Sequence, residues 1–413
     1  MSTFTLRRFT NQETLKSIRT ENLLSLLGQH KAYFARRGVA LANTGPVLYA
    51  AEATGTYGGK AVPRPAPGEL DYEALAHVLM TPDESTPREL VDDLFFVDEM
   101  ATPEGMDALR EEIAKLPPAL RKQLELGPDP TPADVAVMVR LHAPDILENK
   151  HAETLLVSKR SFQYFQPANG NGKPFAKPTD KQLQTLEAVF DDVFDQMKRG
   201  RNSKVFVFDR PDEVWMLVRH GDPCKREGAL NSTGSSSVYY RPEVFDVIRY
   251  DRKTGELSIN AGSCKKIYDL YREKVGLHFF GDALHFPAGK AKFTLDPLRA
   301  DGEDSLVCSD IDGMESVVLK EVQYFWGGPE NEVEIRKAAN VFEALKRRNR
   351  TIPDSARISK AKFQVKFADS KAPRMVTVSN SNVTSFTRDS DASSVETWLT
   401  KRGFAIVAGD GDA

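Results

Sequence analysis

The stretch KVFVFDRPDEVWMLVRHG, residues 204 to 221, contains two short apolar runs on either side of a turn-forming segment. VFVF and VWMLV are rich in β-branched and aromatic residues, and DRPDE between them has the Asp and Pro that are typical of turns. This pattern predicts a β-hairpin. A second segment, FDVIRYDRKTGELSINA at 245 to 261, repeats the pattern around Lys253, Thr254 and Gly255.

Further strands and helices follow in irregular order. Apolar periodicity predicts strands in KAKFTL (290 to 295), SLVCSD (305 to 310), ESVVLKEVQYFW (315 to 326), ARISKAKFQVKFA (356 to 368) and RMVTVS (374 to 379). It predicts helices in CKKIYDLYREKVGLHFFG (264 to 281), EVEIRKAANVFEALKRRN (332 to 349) and SSVETWLTKRGF (393 to 404). Hairpins with helices inserted between strand groups, without a regular βαβα alternation, predict an α+β fold with a mainly antiparallel sheet.

The first part of the chain, residues 1 to 165, is predicted to be a helical region. LKSIRTENLLSLLGQHKAYFARRG at 15 to 38 has apolar residues at helical spacing. Four Thr-Pro pairs are expected to begin helices, since the hydroxyl can cap free amides and proline suits the first turn, and their threonines are Thr81, Thr86, Thr102 and Thr131.

Three segments are expected to lack regular structure. The Gly- and Pro-rich residues 54 to 69 predict a surface loop, and QPANGNGKPFAKPTD at 166 to 180 predicts a linker. We therefore expect a second region, α+β in character, at 180 to 406, opening with a helix in TDKQLQTLEAVFDDVFDQMKRG. Residues 407 to 413 are expected to be a loose tail.

Composition excludes several classes of protein. No apolar run approaches the roughly 20 residues that cross a bilayer, and the N-terminus lacks the apolar core of a secretory signal. The three cysteines are too few and too widely spaced for a disulfide framework or a cysteine-rich zinc site. The expectation is a cytoplasmic protein without a cofactor or a membrane partner.

The net charge of −3 conceals two opposed segments. Residues 69 to 112 contain 14 Asp and Glu against 2 Lys and Arg, and residues 336 to 374 contain 12 Lys and Arg against 3 acids. Such asymmetry indicates association with charged partners. In the acidic segment the candidate partner-binding residues are Asp92, Asp93, Asp98 and Glu99.

The basic segment supplies the candidate nucleic-acid-binding residues. In the predicted strand, Phe363, Val365 and Phe367 are expected to face the core, so the intervening lysines face solvent. A row of cations can follow a phosphate backbone without reading the bases. The candidates are Lys346, Arg347, Arg348, Arg350, Lys360, Lys362 and Lys366. We therefore expect a non-catalytic binder of nucleic acid or of a larger protein assembly, with homo-oligomer formation left open.

The hexapeptide MLVRHG at 216 to 221 resembles the signature of the histidine phosphatase superfamily. The resemblance implies that His220 accepts the phosphoryl group and that Arg219 holds its oxygens. In that family the motif continues into a helix, whereas Pro223, Gly228 and a Ser/Gly run follow here. We interpret the tripeptide as the end of a strand and keep phosphate-ester hydrolysis as the alternative function.

A metal-dependent nuclease is a second form of the alternative. Glu332, Glu334 and Lys337 could in principle face a metal ion together with Asp310 or Asp312. The usual Glu-x-Lys spacing on a strand is absent, and an acidic first turn predicts a helix start here instead.

Overall fold

The structure is a computed structural model that describes residue 9 and residues 11 to 41, 70 to 168, 175 to 231, 234 to 262, 264 to 388 and 391 to 406. The predicted loop at 54 to 69, the glycine-rich part of the predicted linker and the tail at 407 to 413 lie outside the described residues. The chain divides into two compact units, Met1–Ala152 and Glu153–Ala413. The predicted α+β fold is confirmed, with helices in the first unit and an antiparallel sheet in the second.

The first unit is built around one helix whose central turns are buried on all sides. Its helices are α1 Gln12–Ser17, α2 Thr20–Gly28, α3 Lys31–Arg36, α4 Tyr72–Met80, α5 Arg88–Met100, α6 Pro103–Lys115, α7 Pro118–Gln123, α8 Pro132–His142 and α9 Pro144–Ser158, the last continuing into the second unit. In α8, every residue from Ala133 to Val139 is buried, because α2, α5 and α6 pack around it. The buried run is apolar except for Asp134, whose carboxylate pairs with Arg19 at 2.9 Å, and a helix with so little polar surface is stable only in such a central position.

Two of the four predicted threonine caps are present. The hydroxyls of Thr102 and Thr131 accept hydrogen bonds from the backbone amides of Gly105 and Asp134. A proline follows each threonine, at the first position of α6 and of α8. Thr81 instead ends α4, and α5 begins at Arg88 without a side-chain cap. The Thr86 hydroxyl accepts the amide of Asp83 in the preceding turn. The Thr86 hydroxyl, which the sequence pattern predicted as the cap of α5, therefore stabilises the preceding turn instead.

The second unit contains a ten-stranded sheet and a separate hairpin. The strands are β1 Ser161–Phe165, β2 Lys204–Asp209, β3 Glu213–Gly221, β4 Lys225–Asn231, β5 Gly234–Tyr240, β6 Glu243–Asp251, β7 Leu257–Asn260, β8 Met314–Gly327, β9 Glu332–Lys337, β10 Arg357–Phe367, β11 Arg374–Ser379 and β12 Val383–Ser385. The sheet order is β2-β3-β6-β7-β1-β12-β11-β10-β8-β9, and all its pairings are antiparallel. Among the described strands, β4 and β5 pair only with each other.

Helices cover the two faces of this sheet unequally. The helices of this unit are α10 Asp180–Gln196, α11 Lys265–Phe280, α12 Pro297–Ala300, α13 Val341–Lys346 and α14 Ala392–Lys401. α10 and α11 share a core with β2, β3, β6 and β7 on one face. On the other face, Trp398 of α14 packs on Phe363 of β10. On the face that α10 and α11 cover elsewhere, no described helix lies over β11, β10, β8 and β9, and the β10 residues on that face are only partly buried.

Both predicted hairpins are present, as β2-β3 and β6-β7. Gly255, in the second turn, has a φ of 70°, which favours glycine. The predicted helices beginning near residues 180, 264 and 393 are also present, and α10 opens with a capping box between Thr179 and Gln182. In these segments, apolar residues that recur every 2 or every 3.6 positions along a whole element were therefore sufficient to predict the strands and helices.

The predicted helix over 332 to 349 is wrong in its first half. Residues 332 to 337 form strand β9, and a helix appears only as α13. Val333 and Ile335 alternate with charged residues, which is a strand pattern, and β8 offers a partner along its whole length. Pairing with β8 decides the conformation of a segment whose local preference is ambiguous.

Two strand predictions between residues 290 and 310 also fail. SLVCSD forms a 3-10 turn at Gly302–Leu306 and a following loop. KAKFTL makes only a single bridge, between Phe293 and Ala405. The Gly- and Ser-rich residues after Gly221 form the hairpin of β4 and β5, which the sequence pattern did not predict. Buried apolar residues such as Leu306 do not by themselves make a strand without an adjacent strand.

Gly221, the last residue of the Arg-His-Gly tripeptide, is required by close packing of the backbone. A Cβ atom there would overlap the carbonyl oxygen of Arg199 and the side chain of Arg241. Arg241 donates to the carbonyl oxygens of Lys198 and Asp222 and fixes this crossing. The glycine therefore has a structural reason that does not involve catalysis.

We expect Gly221→Ala to lower the free energy of unfolding by about 3 kcal/mol, because backbone and side chain must both move. Gly228→Ala is the matched control, since nothing lies within 4 Å of its Cβ position. The chain's three tryptophans, Trp215, Trp326 and Trp398, all belong to the second unit, so tryptophan fluorescence during denaturant unfolding reports on this unit. Equal stability of the two variants would contradict the packing argument.

Candidate functional site

The seven basic residues predicted to bind nucleic acid fall into two groups. Lys360, Lys362 and Lys366 lie on β10, and their side chains point to the open part of the sheet because the alternate residues are buried. Lys346, Arg347, Arg348 and Arg350 lie at the end of α13 and directly after it, and all four are exposed. Phe342 and Leu345 of α13 line a cavity with Leu298 of α12, so this helix belongs to a different layer.

Glu321 of β8 is the centre of the cationic part of the open sheet. The Nζ atoms of Lys362 and Lys337 lie 3.0 and 3.1 Å from its Oε2 atom. Lys320 lines the same shallow groove, with Met375 and Thr377 at its far side. The Lys320 Nζ atom donates to the carbonyl oxygen of Ala339. The groove therefore holds three lysines and one carboxylate, which leaves an excess of positive charge.

The Glu321 carboxyl remains ionised in this setting. Burial alone would raise its pKa, but the hydrogen bonds from Lys362 and Lys337 outweigh burial and lower the pKa below its usual value. Glu321 thus holds two lysine side chains above the sheet in defined positions. Lys337 is 66% exposed and Lys362 33% exposed, so both ammonium groups can still contact a ligand.

The open sheet continues from this cluster toward the start of β10. Arg357 lies over the Phe325 ring, with its guanidinium carbon 5.2 Å from the ring centroid. Lys360 lies between this pair and Lys362 in the register with β8. We call the surface formed by Lys320, Phe325, Lys337, Arg357, Lys360 and Lys362 the open sheet surface.

Lys366 is less available than the other two lysines of β10. Its Nζ atom donates to the carbonyl oxygens of Phe367 and Ser370 and lies 3.5 Å from a carboxylate oxygen of Glu315. Its charge is therefore used within the fold. Of the three lysines that the sequence predicted as ligands on β10, only Lys360 and Lys362 therefore remain available to a ligand.

Acidic residues surround the group at the end of α13. Lys346 forms a 2.6 Å ion pair with Glu303, and this hydrogen bond raises the lysine pKa. The cavity beside Lys346 and Arg350 is also lined by a set of carboxylates that outnumbers its three basic residues, namely Asp301, Glu303, Asp304 and Asp354. A polyanion is therefore attracted less strongly here than to the open sheet surface.

The four acidic residues predicted to bind a partner differ in their surroundings. Asp92 and Glu99 are exposed on α5, whereas Asp98 is buried. Asp93 is bound by Arg140 at 2.6 Å. Burial, followed by the neighbouring Asp93 charge, raises the pKa of Asp92. Fewer of these four carboxylates are therefore exposed to a partner than the number of acidic residues in the segment indicates.

His220 is buried and is held by one side chain and one backbone carbonyl. Its Nδ1 atom lies 2.8 Å from the carbonyl oxygen of Gly221, which can only accept, so this nitrogen carries a hydrogen. Its Nε2 atom lies 2.9 Å from the Asp246 carboxylate, which also accepts the Tyr271 hydroxyl at 2.8 Å. The ring stacks on Phe194 at 4.2 Å. Burial, together with the Asp246 charge, raises the pKa of Tyr271 well above its usual value.

This arrangement gives no support to a phosphoryl-accepting role for His220. Its side chain is 1% exposed, and both ring nitrogens are bonded. Arg219 and His220 are successive strand residues and point to opposite faces of the sheet, so they do not converge on one phosphate. Arg219 lies instead beside Glu243, at 3.6 Å, and over the Phe206 ring.

The carboxylates considered for a nuclease site are also dispersed. Glu334 and Lys337 point to opposite faces of β9, and Lys337 binds Glu321. Asp310 binds Arg402 and Lys401. Within the described residues, no three His, Cys, Asp or Glu side chains are grouped closely enough to hold a metal ion.

Sequence reasoning did not include Lys320, Lys337 and Arg357 among the candidate ligands. Lys337 was placed on a helix, and the strand assignment of β9 moves it next to Lys362 across β8. A signal was present, since Val333, Ile335 and Lys337 share the period of two that β10 shows. Which residues of β8 and β10 lie beside Lys337 depends on the strand register, which the sequence pattern does not give.

Comparison of the chain with known protein families finds no matching family, and no curated protein matches it. None of the described helices is long and apolar enough to cross a membrane.

Proposed function

We propose that this protein is a non-catalytic cytoplasmic binding protein whose open sheet surface binds the phosphate backbone of a nucleic acid. The observation that carries the proposal is a groove lined by Lys320, Lys337 and Lys362 around a single carboxylate, that of Glu321, which is shared by Lys337 and Lys362. Each phosphate that a lysine neutralises releases condensed counterions, which favours binding. Free thiols at Cys224, Cys264 and Cys308 agree with a reducing compartment.

The spacing of the cations suits a chain of phosphates better than a single small anion. The Nζ atoms of Lys337 and Lys362 both lie beside Oε2 of Glu321, so these two ammonium groups are close together, and Lys360 and Arg357 extend the row along β10. Cations at successive positions along this row can therefore contact separate phosphates. A single small anion could engage only some of them.

Binding is expected to be independent of base sequence. Phe325 is the aromatic ring of the open sheet surface, and Arg357 already lies over its face. Base stacking on this ring would require displacement of the guanidinium, so the ring offers no free stacking platform. The remaining contacts are made by flexible lysines, which suit phosphates and do not discriminate between bases.

The test is binding of fluorescent DNA and RNA, as duplexes and as single strands, at low and moderate salt, with and without magnesium. We expect affinity that falls steeply with salt, does not need magnesium and leaves the nucleic acid intact on a gel. Cleavage would overturn the non-catalytic part of the proposal. Absence of binding in both salts would overturn the nucleic-acid part and favour an acidic protein as the partner.

We expect Glu321→Gln to tighten nucleic-acid binding about fivefold, because it removes the one negative charge among the lysines without changing the shape of the side chain. The matched control is Glu303→Gln, which removes a carboxylate paired with Lys346 at the end of α13. The same anisotropy titration measures both variants. Unchanged or weaker binding by the Glu321 variant would argue against phosphate contacts at this cluster.

A further inference from the structure

Strand β9 is the last strand of the ten-stranded sheet, and no described residues pair with its outer side. The amide of Ala338 donates to the carbonyl oxygen of Lys320 at 3.1 Å. Hydrogen-bonded positions recur at every second residue of an antiparallel ladder, so Arg336 and Glu334 also direct their backbone groups to β8. Val333, Ile335 and Lys337 then direct their N–H and C=O groups to the open edge.

The side chains along this edge leave apolar surface uncovered. Val333 is 47% exposed and Ile335 is 51% exposed. Both lie on the same face of the strand, since they are two residues apart. On the other face, Glu334 and Arg336 form an ion pair at 3.1 Å. One short strand therefore carries unpaired backbone groups, apolar residues, one anion and one cation.

We propose that β9 pairs with β9 of a second copy of this chain, antiparallel and about a twofold axis at Ile335. This register places Ile335 opposite itself and Val333 opposite Lys337 of the other copy, all with outward backbone groups. It also places Glu334 opposite Arg336, twice, on the other face. Opposite charges and apolar residues that face each other across strands stabilise a pairing.

The neighbouring registers are less favourable. An axis at Val333 places Glu332 opposite Glu334, and an axis at Lys337 places that lysine opposite itself, so both bring like charges together. An axis at Glu334 or Arg336 also uses outward backbone groups, those of the neighbouring residues, but it places Glu334 or Arg336 opposite itself. Of these axes only the one at Ile335 brings no like charges together, which is why a second copy of the chain is the occupant we infer.

The proposed dimer has a consequence for the shape of the sheet. A twofold axis perpendicular to a sheet keeps the same face of both copies on the same side. The open sheet surfaces of two copies would therefore form one continuous surface. The inference itself does not rest on nucleic-acid binding, because the association is measured without nucleic acid.

The test is sedimentation equilibrium of the full chain over a wide concentration range, with variants of β9. We expect the wild type to dimerise and Ile335→Pro to weaken dimerisation more than about tenfold, since proline removes an outward N–H in each copy without removing a bond to β8. Arg336→Glu is expected to weaken it about tenfold, because Glu334 then faces an acid twice. The double variant Glu334→Arg with Arg336→Glu restores opposite charges and is expected to dimerise within about threefold of the wild type.

The matched control is Arg201→Glu, which breaks an exposed ion pair with Asp192 elsewhere in the same unit. It is expected to leave dimerisation unchanged. A wild type that stays monomeric throughout, or a dimer that tolerates Ile335→Pro and Arg336→Glu, would overturn the proposal. Circular dichroism of each variant confirms that a loss of association does not come from unfolding.

Discussion

Simultaneous replacement of Lys337, Arg357 and Lys360 by glutamine is expected to weaken nucleic-acid binding about 100-fold at moderate salt. Each of these residues contributes a cation to the open sheet surface. The salt dependence should change in parallel, because each phosphate contact contributes about 0.9 to the slope of log affinity against log salt for a duplex. A fall of about three in that slope would identify all three residues as phosphate ligands.

The three positions are chosen so that the fold keeps its buried ion pair. Lys362 remains in place at 3.0 Å and continues to neutralise Glu321, which would otherwise be an unpaired buried carboxylate. Loss of binding in this variant therefore reports lost ligand contacts. Anisotropy titrations with one duplex at several salt concentrations give both the affinity and the slope.

The chain offers a control with the same change of charge. Replacement of Arg347, Arg348 and Arg350 by glutamine removes three exposed cations at the end of α13. We expect this variant to bind within about threefold of the wild type, since Coulomb attraction there is offset by the carboxylates around the neighbouring cavity. If the α13 variant loses more affinity than the open sheet variant, nucleic acid binds at the end of α13 and not at the open sheet surface.

The second large effect is expected for Asp246→Ala, which should lower the free energy of unfolding by about 4 kcal/mol. Asp246 accepts from the Tyr271 hydroxyl and is bonded to His220, and all three side chains are buried. Removal of the carboxylate leaves two buried polar groups without a partner and opens a cavity. Tryptophan fluorescence during denaturant unfolding again reports on the second unit.

Asp212→Ala is the matched control for this measurement. Its carboxylate lies 3.3 Å from Lys253 in an exposed ion pair, and such pairs contribute little to stability, about 0.5 kcal/mol. If Asp246→Ala proves as mild as this control, the cluster around His220 is not a structural element. His220 would then have to be reconsidered as a functional residue.

The sequence pattern was sufficient to predict an element where apolar residues recur with one period along its whole length. The alternation of Phe363, Val365 and Phe367 with polar residues predicted both the strand and its buried face. The order of the predicted hairpins and helices also predicted the α+β class. In contrast, the segment from Glu332 to Lys337 has no strong preference of its own, and its conformation depends on β8.

The sequence by itself determined the fold class, the two hairpins, the long helices and the segregation of charge, because these follow from the order and period of residues along the chain. The tertiary structure alone decided which charges act together. Lys337 and Lys362 are 25 positions apart in the sequence and meet at Glu321 through the strand register. Glu303 and Glu315 each neutralise a predicted ligand. Electrostatic interaction depends on distance in space, which a one-dimensional pattern does not contain.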